Sequence, residues 1–308
     1  MQANELFDRI TAKMIADIEA GTERWRMPWH CLADLGTPVS ADGRSYRGGN
    51  SVLLPWTAAA NGWDSGIWAT FNSWRRHGSF VRRGERGTHV ILWKTTDRAS
   101  TADESSDDAA ESSQQRRGLV ARTFVVFAAE QVDGADAVIA RHIRRHTERD
   151  TPERIAAADA YFAATGLTII EGGNRAYYSS DADEIHVPTL AQFDRASAFH
   201  STVSHEAAHS TAHPSRIGRD LTGRFGSDAY AVEELVAELA AAMWSGQMGI
   251  SAATRSDHSC YIASWLRVLG QDARALVSVA GKAQAAVDYL NTLAGYTVQA
   301  EAEAVSTA

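Results

Sequence analysis

Two histidines four residues apart, His205 and His209, enclose a glutamate in the run His-Glu-Ala-Ala-His. The surrounding stretch from Ala198 to His213 contains no Gly or Pro, so the sequence predicts a helix of about four turns. Residues four apart share a helix face, so the two imidazoles can bind one metal ion. Glu206 lies about 100° further round the helix, where it can act as general base on a metal-bound water. This is the HExxH arrangement of catalytic zinc sites.

A second helical stretch, Tyr230–Glu238, carries acids that could complete such a site. A catalytic zinc ion generally has three protein ligands, so one more is needed from another element. Glu234 and Glu238 are four residues apart, a spacing that resembles the thermolysin-like (gluzincin) pattern. That resemblance makes Glu234 the third ligand and Glu238 the residue that orients His205 and fixes its tautomer. The expected cofactor is Zn²⁺, with another divalent transition metal as the alternative.

Two other residues compete for the third ligand position. Glu233 lies on the same stretch, but the residue four positions beyond it is Ala237, so it lacks the acidic partner. His213 continues the histidine row of the first helix, yet one rigid helix cannot wrap three ligands around a metal. The alternative to a metal site is a helix whose exposed histidines bind no metal.

The composition is that of an ordinary globular protein. Of 308 residues, 44% are hydrophobic and 22% charged, and the formal net charge of −8 gives no global sign of nucleic-acid binding. The two cysteines, Cys31 and Cys260, lie far apart, which favours a reducing compartment and argues against a cysteine-type zinc site. We detect no signal-peptide pattern and no apolar run approaching the roughly 18 residues of a membrane span. A cytoplasmic location is therefore expected, without a membrane partner.

The order of the predicted elements indicates an α+β protein of two domains. Residues 1–135 are expected to form an N-terminal α/β domain. A polar and basic linker is expected over residues 136–150. Residues 151–308 are expected to form a mostly helical, zincin-like domain with a small sheet, which contains the HExxH segment.

Several segments inside these domains have clear signatures. An apolar row with four-residue spacing predicts a helix over residues 5–20. Residues 97–117 contain no large apolar side chain, which predicts a disordered acidic loop. A strand over 122–127 follows at once, so this loop is expected to interrupt two neighbouring strands. Two packed helices over 259–270 and 272–294 are expected to close the chain.

The first half carries a basic and tryptophan-rich surface. Without the acidic segment 97–113, residues 1–130 contain 15 Lys and Arg against 10 Asp and Glu. The arginines are densest at Arg75, Arg76, Arg82, Arg83 and Arg86. Arginines contact phosphates and aromatic faces stack on unpaired bases, so this region, with Trp74, predicts a single-stranded DNA partner. The alternative is that the tryptophans are core residues and the arginines a solvated face.

Ordered motifs along nearly the whole chain resemble the ArdC family of plasmid antirestriction proteins. In the first half they are Leu6-Phe-x-x-Ile-Thr11, Trp25-x-x-Pro-Trp29, Gly43-Arg-x-Tyr-Arg-Gly-x-Asn50, Val81-Arg-Arg-Gly-Glu85 and Phe127-x-x-x-Gln131. In the second half they are Asp183-x-Ile185-x-x-Pro188, His205-Glu-x-x-His209, Tyr230-Ala-x-Glu-Glu-Leu-Val-Ala-Glu238 and Tyr261-Ile-x-x-Trp-Leu266. The first half also resembles the N-terminal region of certain plasmid conjugative primases.

The resemblance implies a single-stranded DNA-binding domain followed by a metallopeptidase-like domain. It further implies protection of incoming plasmid DNA from host restriction during conjugation. Three hypotheses remain open from the sequence. In the first, the zinc domain is a working peptidase whose substrates are host DNA-bound or restriction proteins. Alternatively, the zinc site is structural and protection comes from coating the strand, or a zinc peptidase uses the basic half to dock an acidic protein.

Overall fold

The structure, a computed structural model, describes residues 36–96, 118–142, 149–219, 228–252 and 275–297, together with residues 12, 15 and 16. Some sequence predictions fall elsewhere. The acidic loop over 97–117 and the helix over 259–270 lie outside the described residues, as does most of the helix expected over 5–20.

The first half combines short helices with a mixed sheet. In chain order its described elements are β1 (Val39–Ser40), α1 (Gly49–Asn61), β2 (Ile67–Ala69), α2 (Phe71–Arg76), β3 (Phe80–Val81), β4 (Thr88–Thr96), β5 (Gly118–Ala128), β6 (Val132–Asp133) and α3 (Asp136–His142). Four strands form a sheet in the order β1-β2-β5-β4, in which only β1 and β2 run parallel. β3 and β6 form a separate antiparallel pair. The predicted α/β architecture of this half is confirmed.

Both faces of this sheet are covered, because successive strand residues point to opposite sides. Trp68 of β2 packs on one side with Leu54 of α1. Ile67, next to it in the chain, packs on the other side with Trp74 of α2 and Val138 of α3. The helices α1 and α2 therefore lie on opposite faces of the sheet.

The expected linker over residues 136–150 requires a correction. α3 occupies residues 136–142, and its Val138 is buried in the same cluster as Trp74. The polar and basic composition of the stretch hid one apolar helix face. The core of the first half therefore extends past residue 135.

The second half is mostly helical with a small sheet. In chain order its described elements are α4 (Pro152–Thr165), β7 (Ile169–Glu171), β8 (Tyr177–Ser179), β9 (Glu184–Val187), α5 (Ala196–Ser210), α6 (Asp228–Met248) and α7 (Ala275–Leu293). The strands have the order β7-β9-β8, with β8 and β9 forming an antiparallel hairpin. This half has the predicted layout.

Local signals set the start and end of α4. The Thr151 hydroxyl accepts a hydrogen bond from the backbone N–H of Arg154 at 3.3 Å, and Pro152 occupies the first turn. Gly166 ends the helix in a left-handed conformation with φ 69°. These are the capping signals that the sequence carries.

α5 and α6 pack directly against each other and form the frame of the second half. Ala207, Ala208, Ala237 and Ala240 are all buried in the cluster between the helices. Small side chains at a helix contact let the two axes approach closely. Side chains of moderate length on the facing sides can therefore meet in the gap.

The two halves share one hydrophobic cluster. Val52 and Trp56 of α1 belong to the same cluster as Val279 and Val287 of α7. Polar contacts follow the same seam, for example from the backbone N–H of Gly48 to Gln284 Oε1 at 3.2 Å. Among the described helices, none combines the length and apolar character that crossing a bilayer would require.

Candidate metal centre

Three side chains with metal-binding atoms converge between α5 and α6. His205 and His209 lie one turn apart on α5, and Glu234 faces them from α6. Their candidate ligand atoms all lie within 4.8 Å of one another. His205 is 2% exposed, whereas the His209 side chain is 13% exposed. The cluster is therefore largely enclosed but reachable from solvent on the His209 side.

The distances between these atoms fit a single divalent ion. The two Nε2 atoms are 3.1 Å apart. Glu234 places Oε2 3.6 Å from His205 Nε2 and Oε1 3.6 Å from His209 Nε2. Ligand atoms about 2.0–2.2 Å from a tetrahedral ion lie about 3.3–3.6 Å from one another. Two imidazoles and one carboxylate also form a donor set that zinc and manganese both accept.

Glu234 is held in its ionised form. Burial raises the pKa of this carboxyl, but the interactions with the His205 and His209 rings outweigh it and lower the pKa to about 2. Tyr230, one turn earlier on α6, also donates a hydrogen bond to it. A carboxylate must be deprotonated to bind a metal, so Glu234 is ready for that role near neutral pH.

Each histidine turns its second ring nitrogen towards another acid of α6. His205 Nδ1 lies 3.2 Å from Glu238 Oε1, and His209 Nδ1 lies 3.3 Å from Glu233 Oε1. A carboxylate can only accept, so the hydrogen bond between His209 and Glu233 places the ring proton of His209 on Nδ1. The Nε2 atom of His209 then keeps its lone pair towards the shared centre.

The position of Glu233 was not apparent from the sequence, where it was the alternative third ligand. It lies on the outer side of the His209 ring and binds Arg219 through both oxygens, at 2.8 and 3.0 Å. Burial raises its pKa, but His209 and Arg219 together lower it. Arg219 belongs to no motif in the sequence, so nothing in the pattern of residues pointed to it.

The remaining predicted residues of this region have varied positions. Glu206 is 3% exposed and follows His205 on α5, as the HExxH pattern requires. His213 lies beyond the end of α5 and bonds to Ser215 Oγ at 2.7 Å, apart from the cluster.

The predicted DNA-binding residues divide into two groups. Arg75, Arg76, Arg82, Arg83 and Arg86 are all exposed. Trp74 is not available as a stacking surface, because it is 0% exposed and donates its indole N–H to Phe127 O at 3.0 Å. Among the described residues, Phe71 (47% exposed) and Phe80 (58% exposed) offer exposed aromatic faces near these arginines. The sequence pattern counted tryptophans and missed both.

Comparison with known proteins accounts for both halves. A family described as the N-terminal domain of anti-restriction factor ArdC matches residues 4–127. A second family, described as zincin-like metallopeptidase, matches residues 156–282. The crystal structure of the antirestriction ArdC protein from plasmid R388 in its Mn(II)-bound form is 32% identical, with a TM-score of 0.71. The alignment covers 94% of this chain and 97% of that one. This chain belongs to the ArdC family.

Other relatives support this membership in the ArdC family. The metal-free structure of R388 ArdC is 34% identical, with a TM-score of 0.74 over 95% of this chain and 99% of that one. An uncharacterised protein of Sinorhizobium fredii, y4eC, is 40% identical over 93% of this chain and 92% of its own length. The DNA primase TraC of Escherichia coli is 31% identical over 92% of this chain, which corresponds to only 27% of the primase.

Within the family, the metal-bound relative bears on the cluster described above. The R388 ArdC protein has been crystallised both with Mn(II) and without metal. The cluster of His205, His209 and Glu234 lies inside the zincin-like match of the present chain. The fold, the family and the donor geometry agree on a divalent-metal centre, as expected from the HExxH pattern.

Proposed function

We propose that this ArdC-family protein binds single-stranded DNA through its first half and protects incoming plasmid DNA from host restriction during conjugation. The observation that carries the proposal is the match to an antirestriction protein over nearly the full length of both chains. The similarity to the DNA primase TraC of Escherichia coli, over 92% of this chain, supports DNA as the partner. Such a role places the protein in the cytoplasm, where incoming DNA meets restriction enzymes.

The DNA contact is proposed on the arginine–phenylalanine surface, which consists of Phe71, Arg75, Arg76, Phe80, Arg82, Arg83 and Arg86. Phe71 and Arg75 are one turn apart on α2 and share a helix face. Phe80 of β3 and Arg82, the residue that follows this strand, are both exposed. Each pair joins an aromatic face for a base to a cation for the adjoining phosphate.

The arginines of this surface differ in their availability. Arg82 pairs with Glu85 at 2.8 Å and also donates to the backbone carbonyl of Glu130. Asp133 Oδ1 lies 3.8 Å from its other terminal nitrogen. Arg82 therefore shares its charge with neighbouring oxygens, and we expect Arg75 and Arg76 to contribute more to phosphate binding.

Replacing Phe80 with alanine is expected to weaken binding to a single-stranded oligonucleotide by about 10- to 100-fold, since base stacking contributes about 1–3 kcal/mol per base. Arg75→Gln is expected to reduce the slope of log affinity against log salt by about one phosphate contact. Fluorescence anisotropy titrations at two salt concentrations measure both effects.

Tyr177→Ala is the matched control for this experiment. Tyr177 is also 47% exposed, but it lies on β8 in the other half of the chain. Its loss should leave DNA affinity unchanged. Equal affinity for the wild-type and Phe80→Ala proteins would remove Phe80 from the interface, and a binding constant insensitive to salt would argue against DNA as the partner.

For the metal centre we propose a hydrolytic role on peptide bonds, with host DNA-bound or restriction proteins as the substrate class. His205, His209 and Glu234 would hold the ion, and Glu206 would take a proton as the general base. A zinc ion in such a site lowers the pKa of its bound water to about 7. The zincin-like match and the solvent-facing His209 side support this reading.

A structural metal is the second candidate function, because a coat of protein on the strand could protect it without cleavage. Glu206→Gln separates the two candidates, since it removes the base and leaves the ligands in place. Plasmid transfer into a restricting recipient is the readout. Protection that survives this substitution would favour coating, and protection that is lost while metal and DNA binding are retained would favour hydrolysis.

A further inference from the structure

We propose that Arg219 is a positioning residue of the metal centre, which acts through Glu233 on the ring of His209. The inference rests on the proposal that His205, His209 and Glu234 hold a divalent ion. It goes further in assigning a function to an arginine outside every motif that the sequence displays. A residue of the loop after α5 would thus help to orient one of the side chains that hold the ion.

Arg219 is fixed at the C-terminal end of α5. Its side chain is 9% exposed. One terminal nitrogen donates to Thr211 Oγ1 at 2.7 Å, and the other donates to the carbonyl of Ala208 at 2.8 Å. A guanidinium has five donors in a rigid plane, so these contacts determine the direction of the whole group. The plane then faces α6.

The same guanidinium holds both oxygens of Glu233. Nε donates to Oε2 at 3.0 Å and Nη2 donates to Oε1 at 2.8 Å. This two-bond contact is the strongest and most directional form of the arginine–carboxylate pair. It leaves the Glu233 carboxylate little freedom to turn. Glu233 is therefore held against the outer edge of the His209 ring and away from the ligand position taken by Glu234.

The held carboxylate in turn directs His209. Glu233 Oε1 lies 3.3 Å from His209 Nδ1, so it accepts the ring proton there. His209 Nε2 then keeps its lone pair towards the centre, 3.1 Å from His205 Nε2. Acids and other groups that hold the second nitrogen of a metal-binding histidine typically affect metal affinity by about 10- to 100-fold. Here Glu233 is the acid that holds the second nitrogen of His209, and Arg219 in turn holds Glu233.

Charge provides an independent reason for the arginine. α6 brings three carboxylates to the site, Glu233, Glu234 and Glu238, and all three are at least nine-tenths buried. Glu206 of α5, which is 3% exposed, adds a fourth acid. With neutral imidazoles, a divalent ion offsets only two of these four negative charges. A buried charge without a partner is costly, so the contact with Arg219 stabilises the carboxylate of Glu233 beside His209.

The test measures the dissociation constant for Mn(II) in the full-length protein. Arg219→Met and Glu233→Gln are each expected to weaken binding by about 10- to 100-fold. The double variant should bind Mn(II) at least as tightly as the single variant with the lower affinity, because both changes remove the same arrangement. Arg219→Lys keeps the charge but not the two-bond contact, and it should fall between Arg219→Met and the wild type.

Arg216→Met is the matched control. Arg216 lies in the same loop and binds a carboxylate through two bonds, to Asp183 at 2.7 and 2.8 Å. It also donates to the carbonyl of Ser210 on α5 at 2.8 Å. The carboxylate that Arg216 binds, Asp183, belongs to the β8–β9 hairpin and not to the metal centre. The loss of Arg216 should therefore leave the Mn(II) affinity within about twofold of the wild type.

A second readout reports on the ring itself. In protein loaded with Co(II), each metal-binding imidazole gives an exchangeable N–H proton signal shifted by the ion. Arg219→Met and Glu233→Gln should shift or lose the His209 signal and leave that of His205 unchanged. A merely structural role of Arg219 would affect neither signal selectively. If Arg219→Met fails to fold by circular dichroism, Arg219→Lys and Glu233→Gln decide the matter.

The outcomes are distinguishable. The inference would be overturned, with the metal centre intact, if the Arg219 variants and Glu233→Gln all bound Mn(II) as tightly as Arg216→Met. Single effects that add in the double variant would overturn it as well. Wild-type protein that binds neither Mn(II) nor Zn(II) would overturn the proposed metal centre, and this inference with it.

Discussion

Glu234→Ala protein is expected to lose divalent metal on dialysis, with an affinity lower by about 100- to 1,000-fold. Apparent binding free energies of structural zinc are about 10–16 kcal/mol, so one of four ligand positions accounts for about 2.5–4 kcal/mol. Glu234 is also the proposed ligand that faces both histidines, at 3.6 Å from each Nε2 atom. Metal content by mass spectrometry and titration calorimetry with Zn(II) and Mn(II) measure the loss.

Two control variants sharpen this prediction. Glu206→Gln removes an acid next to His205 in the chain but leaves the proposed ligands in place, so metal should remain bound. Glu171→Ala removes an exposed glutamate of β7 and should have no effect. Glu234→Ala protein that keeps stoichiometric metal at wild-type affinity would show that the ion binds elsewhere.

Trp74→Ala is expected to lower the free energy of unfolding by about 3–5 kcal/mol, as large-to-small changes in a packed core do. Trp74 is 0% exposed and contributes to the cluster with Ile67 and Val138. The substitution also leaves the Phe127 carbonyl without the indole donor that it has in the wild type. Urea unfolding followed by tryptophan fluorescence and circular dichroism measures the effect.

Trp74→Phe is the control for the tryptophan prediction, because it keeps most of the ring volume and removes only the N–H donor. Its loss of stability should be clearly smaller. DNA binding by whatever fraction of Trp74→Ala remains folded should be close to that of the wild type. A Trp74→Ala protein of normal stability that no longer binds DNA would contradict the buried position of this side chain.

The contrast between Trp74 and Phe80 shows why an aromatic count does not locate a binding surface. Both residues lie in the arginine-rich region, and tryptophan is the stronger stacking residue in general. Which of them reaches solvent depends on the side of α2 and β3 that packs on the sheet. That side is set by contacts with α3, which is distant in sequence, and with β2, which is too short for its hydrophobic pattern to be recognised.

The metal centre shows the same division on a finer scale. The four-residue spacing of His205 and His209, and of Glu234 and Glu238, places each pair on one helix face wherever the helices lie. Periodicity therefore predicted which residues share a helix face, and the resemblance to the gluzincin pattern made Glu234 the third ligand. Periodicity alone could not say which of two adjacent acids, Glu233 or Glu234, points between the imidazoles, because that depends on the rotation of α6 against α5.

The sequence by itself determined the HExxH helix, the acidic helix that follows it, the capping of α4 and the division into an α/β half and a mostly helical half. These follow from short-range rules of spacing and capping that hold before the chain is packed. Only the tertiary structure decided that Trp74 is core, that α3 belongs to the first half, and that Arg219 holds Glu233. Each of these depends on contacts between elements whose relative rotation is set by packing, and no local pattern encodes that rotation.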